Sequence, residues 1–542
     1  MDRAASDYDW LDDLGTPSAY PFDAGAGGEV RRIDTHISHV FLTADRAYKL
    51  RRPVRLSFLD FSDPAERLAD CRREVDLNRR LAPDVYLGLA PVLVRDGRAR
   101  VGPVGEQPSG EPGVVEHCVV MRRLAAGRDL RSLVERGEAR PGHVDRVATK
   151  LARFHAAHGL GRPAPFASEA WLARTTAPAR ANTDALADAP ATLAPPAEIG
   201  GIRRLAGLFV EARRADFDRR RRDGRVVDGH GDLHGEHVWF ETDEAEPLMV
   251  DCLEFRDDFR QIDAASDAAF LAMDLAWRGR RDLADRFLRK YAAASGDYHL
   301  FAVIDYFLSY RALVRAKVAS LVACDASLPG EQRRHAVDSV RGHLDLGLGY
   351  LEDKGPGRLL LTCGSIGSGK TTVAEALADA TGGVVISSDV VRRADATAAG
   401  AGVAAGGAPY AGGRYANASR SAVYERLLEE ARHVVLSGRT AILDATFSRR
   451  AWRDRAAAWG AENARRCALV EVVAPRAEVM ARLAARAAAG NDASEAGPGL
   501  YDAMRAEFEE PLEWPAAART RIDTSDADWR DKAVAAARSL AD

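Results

Sequence analysis

Residues 364–371 of the 542-residue chain read GSIGSGKT and match the phosphate-binding pattern GxxxxGK[ST]. An apolar run, RLLLTCG, precedes the motif and the helical sequence TTVAEALADA follows it, which is the strand–loop–helix context that the motif needs. Glycines let the backbone curl so that its N–H groups point at phosphate oxygens, and the helix N-terminus adds a positive dipole. We expect Lys370 to reach the outer phosphates of ATP and Thr371 to bind Mg²⁺. The predicted nucleotide-binding residues are Gly364, Ser365, Gly367, Ser368, Gly369, Lys370, Thr371 and Thr372.

Two acids close other apolar runs in the same part of the chain. Asp444 ends TAILD and Asp389 ends VVISSD. Ligands of open parallel sheets bind at the carboxyl ends of the strands, so both acids are placed for catalysis. We expect Asp444 to organise Mg²⁺ or to contact the substrate, and Asp389 to accept a hydroxyl proton as the general base. The alternative for each is a helix N-cap.

Three arginines are candidates for binding negative charge near this loop. Arg482 and Arg486 lie four positions apart in RLAAR, on one face of a predicted helix. Such a pair could close over the nucleotide and neutralise charge in the transition state. The alternative is a solvated helix face. Arg392, three positions after Asp389, could hold an anionic substrate or the transferring phosphate.

A second set of residues lies in the first half of the chain, in HGDLHGEHV. Here Asp232 is a candidate catalytic base, and His230 would brace its loop. Asp251 follows an apolar strand in MVDCLEF, nineteen positions after Asp232. One acid of such a pair can align an acceptor hydroxyl while the other holds Mg²⁺ on the phosphates.

Lys49 and Glu74 complete this second set. Lys49 lies on a predicted strand in AYKL, and Glu74 lies on the helix that follows. A lysine that grips the α- and β-phosphates needs a carboxylate to orient it. Each residue alone could be an ordinary surface residue, but their order with the two later acids favours kinase chemistry. The segment EHCVVMRRL (116–124) falls where a hinge over the adenine would lie.

These motifs resemble known kinase families. Residues 30–330 resemble the aminoglycoside phosphotransferase and choline-kinase-like fold, a relative of protein kinases. Residues 356–542 resemble small P-loop kinases of the gluconate-kinase-like, polynucleotide-kinase-like and zeta-toxin-like kinds, through GSIGSGKTT, SDVVR, ILDAT and RLAAR. Nearly the whole chain resembles bacterial bifunctional aminoglycoside phosphotransferase/ATP-binding proteins, through THISHVFLTADRAYKLRRPV and DCLEFRDDFRQIDAASDAAFLAMDL. The resemblance implies transfer of the ATP γ-phosphate to a hydroxyl, with an acid at the position of Asp389 as the base.

The first site departs from its family in one metal position. The family places an asparagine five positions after the catalytic aspartate, and this chain has His237 there. Mg²⁺ prefers oxygen ligands, and imidazole suits softer ions. The second metal position is therefore missing, filled by water, supplied by His237 or supplied by Glu236. No Gly-rich loop precedes Lys49 either, so this half is a weak kinase or a domain that binds nucleotide with little turnover.

Two alternatives concern the same region. His230, Asp232, His234 and His237 could bind zinc, although their spacing is not that of a helical metalloprotease. The basic run RRADFDRRRRDGR (213–225) could bind nucleic acid, although such a run is more often a solvated helix face. We favour kinase chemistry for the loop and the solvated face for the basic run.

The two motif sets predict two domains of different fold class. Residues 1–350 are predicted as an α+β, protein-kinase-like domain and residues 356–542 as an α/β P-loop NTPase domain with a parallel sheet, because apolar strands alternate with helices there. EDKGPGR (352–358) reads as a linker, and the Ala- and Pro-rich stretch 161–200 reads as irregular. 

Composition limits the setting of this chemistry. The net charge of −4 disfavours bulk nucleic-acid binding, and six scattered cysteines fit a reducing compartment. Neither a signal sequence nor an apolar run of membrane-spanning length is found, so we expect a cytoplasmic protein without a membrane partner.

The sequence therefore predicts a phosphotransferase that uses ATP and Mg²⁺ and acts on a small-molecule hydroxyl. Two other classes stay open: a regulatory ATP-binding protein with a ligand-sensing first half, and a nucleic-acid end kinase. The motifs name neither the acceptor nor an oligomeric state.

Overall fold

The computed structural model describes residues 10–56, 59–106, 110, 112–392, 417–463, 465–489 and 501–539. The chain divides into two compact units that alternate along the sequence. Unit 1 contains the described residues up to Lys150, with Phe154–Gly161 and Val226–Asp267; unit 2 contains Leu151–Arg153, Arg162–Arg225 and the described residues from Ala268 onward. The predicted domain boundary between 350 and 356 stays a prediction. In the structure, helices that precede this boundary belong to the same compact unit as the C-terminal sheet.

Unit 1 is built around a six-stranded antiparallel sheet with the order β1-β2-β3-β8-β6-β7. Strands β2 and β3 form a hairpin across a turn in which the N–H of Thr43 donates to the oxygen of Arg46. The strands are β1 Arg31–Asp34, β2 Ser38–Leu42, β3 Arg46–Arg51, β4 Arg55–Leu56, β5 Leu59–Asp60, β6 Tyr86–Arg95, β7 Arg98–Val101 and β8 Val114–Arg122.

Helix α1, Pro64–Arg79, packs on β6 and β8 of this sheet. It begins at Pro64 because Asp63 caps it by accepting from the N–H of Ala65 and because proline is favourable at a first helical position. Its buried face includes Cys71 and Val75, which belong to one apolar cluster with Val119 of β8. This packing places Glu74, on the same face, inside the unit.

Short elements in the rest of unit 1 frame the HGDLHGEHV loop. Strand β9 ends immediately before the loop, and the hairpin of β10 and β11 lies between the loop and Asp251. Strand β12 pairs with β9. The bounds are α2 Leu130–Glu135, α3 Pro141–Ala157, β9 Val226–Asp228, β10 Val238–Trp239, β11 Leu248–Met249 and β12 Gln261–Asp263.

The first part of unit 2 is helical, and it includes a stretch that we predicted wrongly. Residues 161–200 hold the whole of helix Ser168–Ala187 and the start of helix Pro196–Ala212, where we expected irregular chain. Alanine has the highest helix propensity, and proline is tolerated at a first helical position, as at Pro196. The helices are α4 Ser168–Ala187, α5 Pro196–Ala212, α6 Arg214–Arg222, α7 Ala264–Trp277, α8 Arg281–Ser295, α9 Ile304–Cys324 and α10 Gly330–Leu351.

The second part of unit 2 is a five-stranded, fully parallel sheet with the order β14-β15-β13-β16-β17. Together with the antiparallel sheet and helix of unit 1, this confirms the predicted fold class. The elements are β13 Leu359–Cys363, α11 Lys370–Thr381, β14 Val384–Ser387, α12 Asn417–Leu436, β15 Ala441–Asp444, α13 Arg450–Glu462, β16 Cys467–Val473, α14 Arg476–Ala489, α15 Tyr501–Ala506, β17 Arg519–Asp523 and α16 Trp529–Ser539. Within the described ranges, no helix combines the length and apolar character needed to cross a membrane.

The predicted linker 352–358 is anchored to unit 2, although residues 352–356 are exposed. The Lys354 ammonium lies 2.5 Å from Asp305 Oδ1, and Arg439 donates two hydrogen bonds to the same carboxylate. Burial lowers the pKa of Lys354 to about 8. A Cβ added at Gly357 would lie 2.4 Å from the backbone oxygen of Val435, so only glycine fits there. The segment is therefore a docked connection, although its composition is that of a free linker.

The basic run 213–225 is largely paired within unit 2. Arg220 is fully buried and makes two hydrogen bonds to Asp297, at 3.0 and 2.8 Å. Arg221 and Arg222 both pair with Asp218 of the same helix. The prediction of a merely solvated helix face was wrong for Arg220, because its partner comes from a segment distant in sequence.

We predict that Asp297→Asn destabilises the protein by about 3–5 kcal/mol, because it leaves the buried charge of Arg220 without its counter-charge. Urea denaturation of the full chain measures this change. The matched control is Asp184→Asn, which removes the exposed pair with Arg203 and should cost less than about 1 kcal/mol. Equal losses in the two variants would contradict the structural role of the buried pair.

Candidate active sites

The GSIGSGKT loop connects β13 to α11, as predicted. Gly364 and Gly369 have φ values of 156° and 92°, which side chains rarely tolerate. A Cβ on Gly364 would lie 2.2 Å from the backbone oxygen of Val472. Ser368 is fully buried, and its Oγ has no hydrogen-bond partner among the described residues. The loop thus keeps a tight curl with an unsatisfied polar atom inside it, which suits an anion.

Lys370 and Thr371 open helix α11 and anchor the loop to the sheet. The Lys370 ammonium donates to the backbone oxygen of Ser365 at 2.8 Å, and Thr372 follows on the first helical turn. Thr371 Oγ1 donates to Asp444 Oδ2 at 2.8 Å. Asp444 ends β15, which pairs directly with β13, so the parallel register brings the carboxylate and the hydroxyl together. These two oxygen donors are suited to Mg²⁺.

Burial controls the charges at this site. It raises the pKa of Asp444 above its usual value, while the Lys370 charge and the Thr371 hydrogen bond act in the opposite direction. Burial also lowers the pKa of Lys370, against the attraction of Asp444 and Asp389. A cation beside Asp444 and an anion beside Lys370 would each relieve a desolvated charge.

Asp389 lies on a helical turn at 388–392, immediately after β14. Its Oδ1 is 2.7 Å from Arg392 Nη1, so the predicted base and the predicted anion-binding residue form an ion pair. Both side chains are about 30% exposed, at 30% and 29%. Asp389 is thus accessible to solvent just after the carboxyl end of β14. Its negative charge acts to raise the pKa values of Lys370 and Asp444.

The two arginines of RLAAR have different environments on α14. Arg482 donates to Thr524 Oγ1 at 2.7 Å, and Thr524 Oγ1 donates to the backbone oxygen of Ser368. Arg482 therefore supports the loop from outside, while the charge of Arg486 acts on Lys370 and lowers its pKa. Their catalytic roles stay predictions. Thr524 was missed, although its position directly after β17 is a detectable signal.

In unit 1, Lys49 lies between two acids. Its ammonium is 2.9 Å from Glu74 Oε1 and 2.8 Å from Asp251 Oδ1. Glu74 is fully buried, and the attraction of the two carboxylates raises the pKa of Lys49 although burial opposes it. The structure thus brings together three residues that lie up to 202 positions apart, in the predicted pairing.

A buried arginine supports this arrangement and was not predicted. Arg51, two residues after Lys49 on β3, has no exposed surface in its side chain and pairs with Glu74, Asp70 and Glu254. Burial raises the pKa of Glu254 to about 7. Alternation on a strand places Lys49 and Arg51 on the same face, which is the signal that could have identified Arg51.

Asp251 adopts a strained backbone conformation, with φ of 59°. Its N–H donates to the hydroxyl of Tyr86, which holds the residue in place. Burial alone would raise the pKa of Asp251, but Lys49 and His237 outweigh it and keep the pKa well below its usual range. The carboxylate therefore stays ionised at neutral pH and can bind a cation.

The loop that carries Asp232 is held by Asp267, which the sequence analysis missed. Asp267 is fully buried and accepts from the N–H groups of His230 and Gly231 at 2.7 and 2.9 Å. Its Oδ2 is also 2.9 Å from Nε2 of His155. Nε2 of His230 lies 2.9 Å from the backbone oxygen of Val250, in agreement with the predicted bracing role. Asp267 lies in the stretch DCLEFRDDFRQIDAASDAAFLAMDL that carries the whole-chain resemblance, but its spacing from Asp232 does not reveal this contact.

His237 lies between the two acids of the site. Its Nδ1 is 3.8 Å from Asp232 Oδ2, and its Nε2 is 3.5 Å from Asp251 Oδ2. Burial lowers the pKa of His237, so the ring is neutral at pH 7 and can act as a ligand. Glu236 instead pairs with Arg131, so it does not supply the metal position in this structure.

Of the four residues named as the alternative zinc ligands, three lie close together. Donor atoms of Asp232, His234 and His237 lie within 4.8 Å of one another. His230 is not part of this group, because its Nε2 bonds Val250 and its Nδ1 accepts from the N–H of Asp232. Burial lowers the pKa of His230 to about 4, so it is a neutral structural residue.

These two sites define the class of protein. The antiparallel sheet with its Lys49–Glu74 pair and acid-bearing loop is protein-kinase-like, and the parallel sheet carries a P-loop. The chain is thus a fusion of two kinase-type folds. A family model described as an AAA domain matches residues 359–511.

Full-length relatives show the family. The chain is 36% identical over 503 residues to the uncharacterized protein Rv2004c of Mycobacterium tuberculosis (strain ATCC 25618 / H37Rv), covering 91% of this chain and 93% of that protein. The uncharacterized protein Mb2027c of Mycobacterium bovis matches to the same extent. The protein belongs to the family of these mycobacterial proteins.

Solved structures resemble each part separately. A gluconokinase from Sinorhizobium meliloti 1021 is 18% identical and covers 34% of this chain and 92% of its own, with a TM-score of 0.25. A choline/ethanolamine kinase family protein from Mesorhizobium loti is 13% identical and covers 63% of this chain and 98% of its own, with a TM-score of 0.36.

We predict that Asp267→Asn costs about 3 kcal/mol of stability in unit 1, because the amide cannot accept from both N–H groups and leaves His155 without its carboxylate. Hydrogen exchange of the His230 and Gly231 amides should accelerate. Glu135→Gln, in an exposed pair with Arg131, is the control and should change stability by less than about 0.5 kcal/mol. Unchanged amide exchange in Asp267→Asn would contradict the bracing role.

Proposed function

We propose that the protein is an ATP- and Mg²⁺-dependent phosphotransferase whose C-terminal P-loop site transfers the γ-phosphate to the hydroxyl of a small molecule. The observation that carries the proposal is the hydrogen bond of Thr371 to Asp444, which lies beside Lys370 at the carboxyl ends of the parallel strands. It joins the phosphate loop to a second strand end, which is what a site for a metal–nucleotide complex requires.

The residues divide the work of the transfer. Asp389 accepts the proton of the acceptor hydroxyl, and the hydroxyl oxygen then forms a bond to the γ-phosphorus while the bond to the bridging oxygen of ADP breaks. Lys370 and Arg486 stabilise the negative charge on the transferring group. Mg²⁺ held by Thr371 and Asp444 would neutralise charge on the β- and γ-phosphates. Arg392 holds the acceptor if that molecule is anionic, after leaving its ion pair with Asp389.

The N-terminal half is the basis of a second proposal, in which it binds nucleotide with little turnover and regulates the C-terminal site. The observation that favours it is His237, which lies between Asp232 and Asp251 where the family has an asparagine. The whole-chain resemblance to bifunctional aminoglycoside phosphotransferase/ATP-binding proteins agrees with either role.

The paired charges of the basic run and the free cysteines bear on the class of the acceptor and on the cellular compartment. A small-molecule acceptor fits better than nucleic acid, because the arginines of the basic run are largely paired with acids. Six free cysteines agree with a reducing compartment, and we propose the cytoplasm.

We predict that Lys370→Ala weakens binding of a Mg²⁺·ATP analogue at one site by at least about 100-fold, because it removes the charge that grips the outer phosphates. Calorimetry on the full chain gives the stoichiometry. Asp389→Asn should keep this affinity but lose phosphate transfer from labelled ATP to a metabolite mixture by at least about 100-fold.

The matched control is Lys532→Ala, which alters an exposed lysine paired with Asp526 and Asp528. It should leave stoichiometry and transfer unchanged. Unaltered binding in Lys370→Ala would overturn the P-loop assignment. Tight binding with no phosphate gained by any acceptor would favour the regulatory class over the kinase.

We predict that His237→Asn, made together with Lys370→Ala, lowers the Mg²⁺ concentration for half-maximal nucleotide binding by about 10-fold, because an amide oxygen suits Mg²⁺ better than imidazole does. Without the His237 change, Mn²⁺ should support binding better than Mg²⁺. If Mg²⁺ and Mn²⁺ support nucleotide binding equally, and His237→Asn does not change this, His237 does not face the metal.

A further inference from the structure

Unit 2 contains a second group of metal-ligating side chains, made of residues that belong to neither proposed active site. Asp216 lies on α6, His299 on the 3-10 helix Tyr298–Ala302 and His433 on α12. One donor atom from each lies within 4.8 Å of the other two. Both histidines are buried, at 8% and 9% exposure, so three separate segments direct polar atoms into one enclosed place.

His433 is the unexplained member of this group. Its ring centroid lies 4.4 Å from that of His299, yet its side chain has no hydrogen-bond partner among the described residues. Burying an imidazole without a partner costs free energy, because water would otherwise bond both ring nitrogens. A metal ion is one group that would take up the lone pair of its ring nitrogen.

Asp216 supplies the negative charge that a cation requires. Its Oδ1 lies 2.9 Å from Nε2 of His299, and its Oδ2 lies 3.8 Å from Nη1 of Arg213. Arg219 also acts on His433, but its guanidinium lies 3.6 Å from the carboxylate of Glu429. One oxygen of Asp216 thus faces His299, while the other lies near Arg213. Arg219 has Glu429 as an acidic neighbour.

The donor set selects the kind of ion. Two imidazole nitrogens and one carboxylate oxygen match zinc sites with three protein ligands and a fourth, open position, whereas Mg²⁺ prefers oxygen alone. Ligands at about 2.0–2.2 Å from one tetrahedral ion are roughly 3.4 Å apart, so side-chain shifts of about 1 Å would complete the geometry. 

We propose that Asp216, His299 and His433 bind one divalent transition metal ion of the zinc class. The ion fastens α12 to the 3-10 helix and to α6. Helix α12 packs on β14 and β15. Because β15 ends at Asp444 and the turn that carries Asp389 follows β14, the ion stabilises the wall of the parallel sheet next to these acids. This site does not depend on the proposed kinase activity.

The test uses the full chain, stripped of metal with a chelator and titrated with Co²⁺ and then with Zn²⁺. The Co²⁺ absorption spectrum reports nitrogen ligation, and competition calorimetry gives the stoichiometry. The titration is done in the His237→Asn variant, so that the group Asp232, His234 and His237 is disabled. We expect one equivalent of metal ion to bind to the protein. His433→Gln should weaken the affinity for this ion by at least about 100-fold, which is more than the loss of a residue that only hydrogen-bonds to a metal ligand causes.

His335→Gln, an exposed histidine on α10, is the matched control and should keep the equivalent. Folding is controlled by the melting temperature: without metal, His433→Gln should melt close to the parent, and Zn²⁺ should raise the melting temperature of the parent alone. Asp216→Asn serves as a second variant if His433→Gln does not fold. Absence of a nitrogen-ligated Co²⁺ spectrum in the parent, or an unchanged affinity in a folded variant, would overturn the proposal.

Discussion

Each candidate site depends on one buried carboxylate that fixed hydrogen-bond donors hold in place. Asp267 accepts from two backbone N–H groups and so determines the shape of the loop that carries Asp232. Asp444 accepts from Thr371 and so joins the phosphate loop to a neighbouring strand. An ionised carboxylate is costly to bury unless its partners are preorganised, so in each unit the loop and the core around it must form together.

The two sites differ in how their charge is balanced. In unit 1 the acids Glu74 and Asp251 share Lys49, and the neutral ring of His237 occupies the space between Asp251 and Asp232. In the P-loop site, Lys370 lies in a loop with an unsatisfied polar atom and close to an acid that burial tends to protonate. The second arrangement offers the oxygen ligands of Thr371 and Asp444 to Mg²⁺ without an imidazole between them, which is why the proposed transfer is assigned to it.

Local sequence patterns predicted much of this arrangement. The P-loop motif includes its own glycines and helix start, so its conformation follows from eight consecutive residues, 364–371. Compositional reasoning was weaker: the Ala- and Pro-rich stretch 161–200 is largely helical, and the apparent linker is docked on Asp305 through Lys354. In both cases the outcome depends on packing partners that composition does not specify.

The sequence by itself determined the fold class, the two motif sets and the order of Lys49, Glu74, Asp232 and Asp251. These follow from local periodicity, from short motifs and from the order of those motifs along the chain. The tertiary structure alone decided that Asp267 holds the Asp232 loop, that Glu236 pairs with Arg131, and that Asp216, His299 and His433 meet. Such contacts join segments tens to hundreds of residues apart, and no local backbone preference encodes them. They are fixed only when the apolar cores close and bring buried polar groups to the partners that satisfy them.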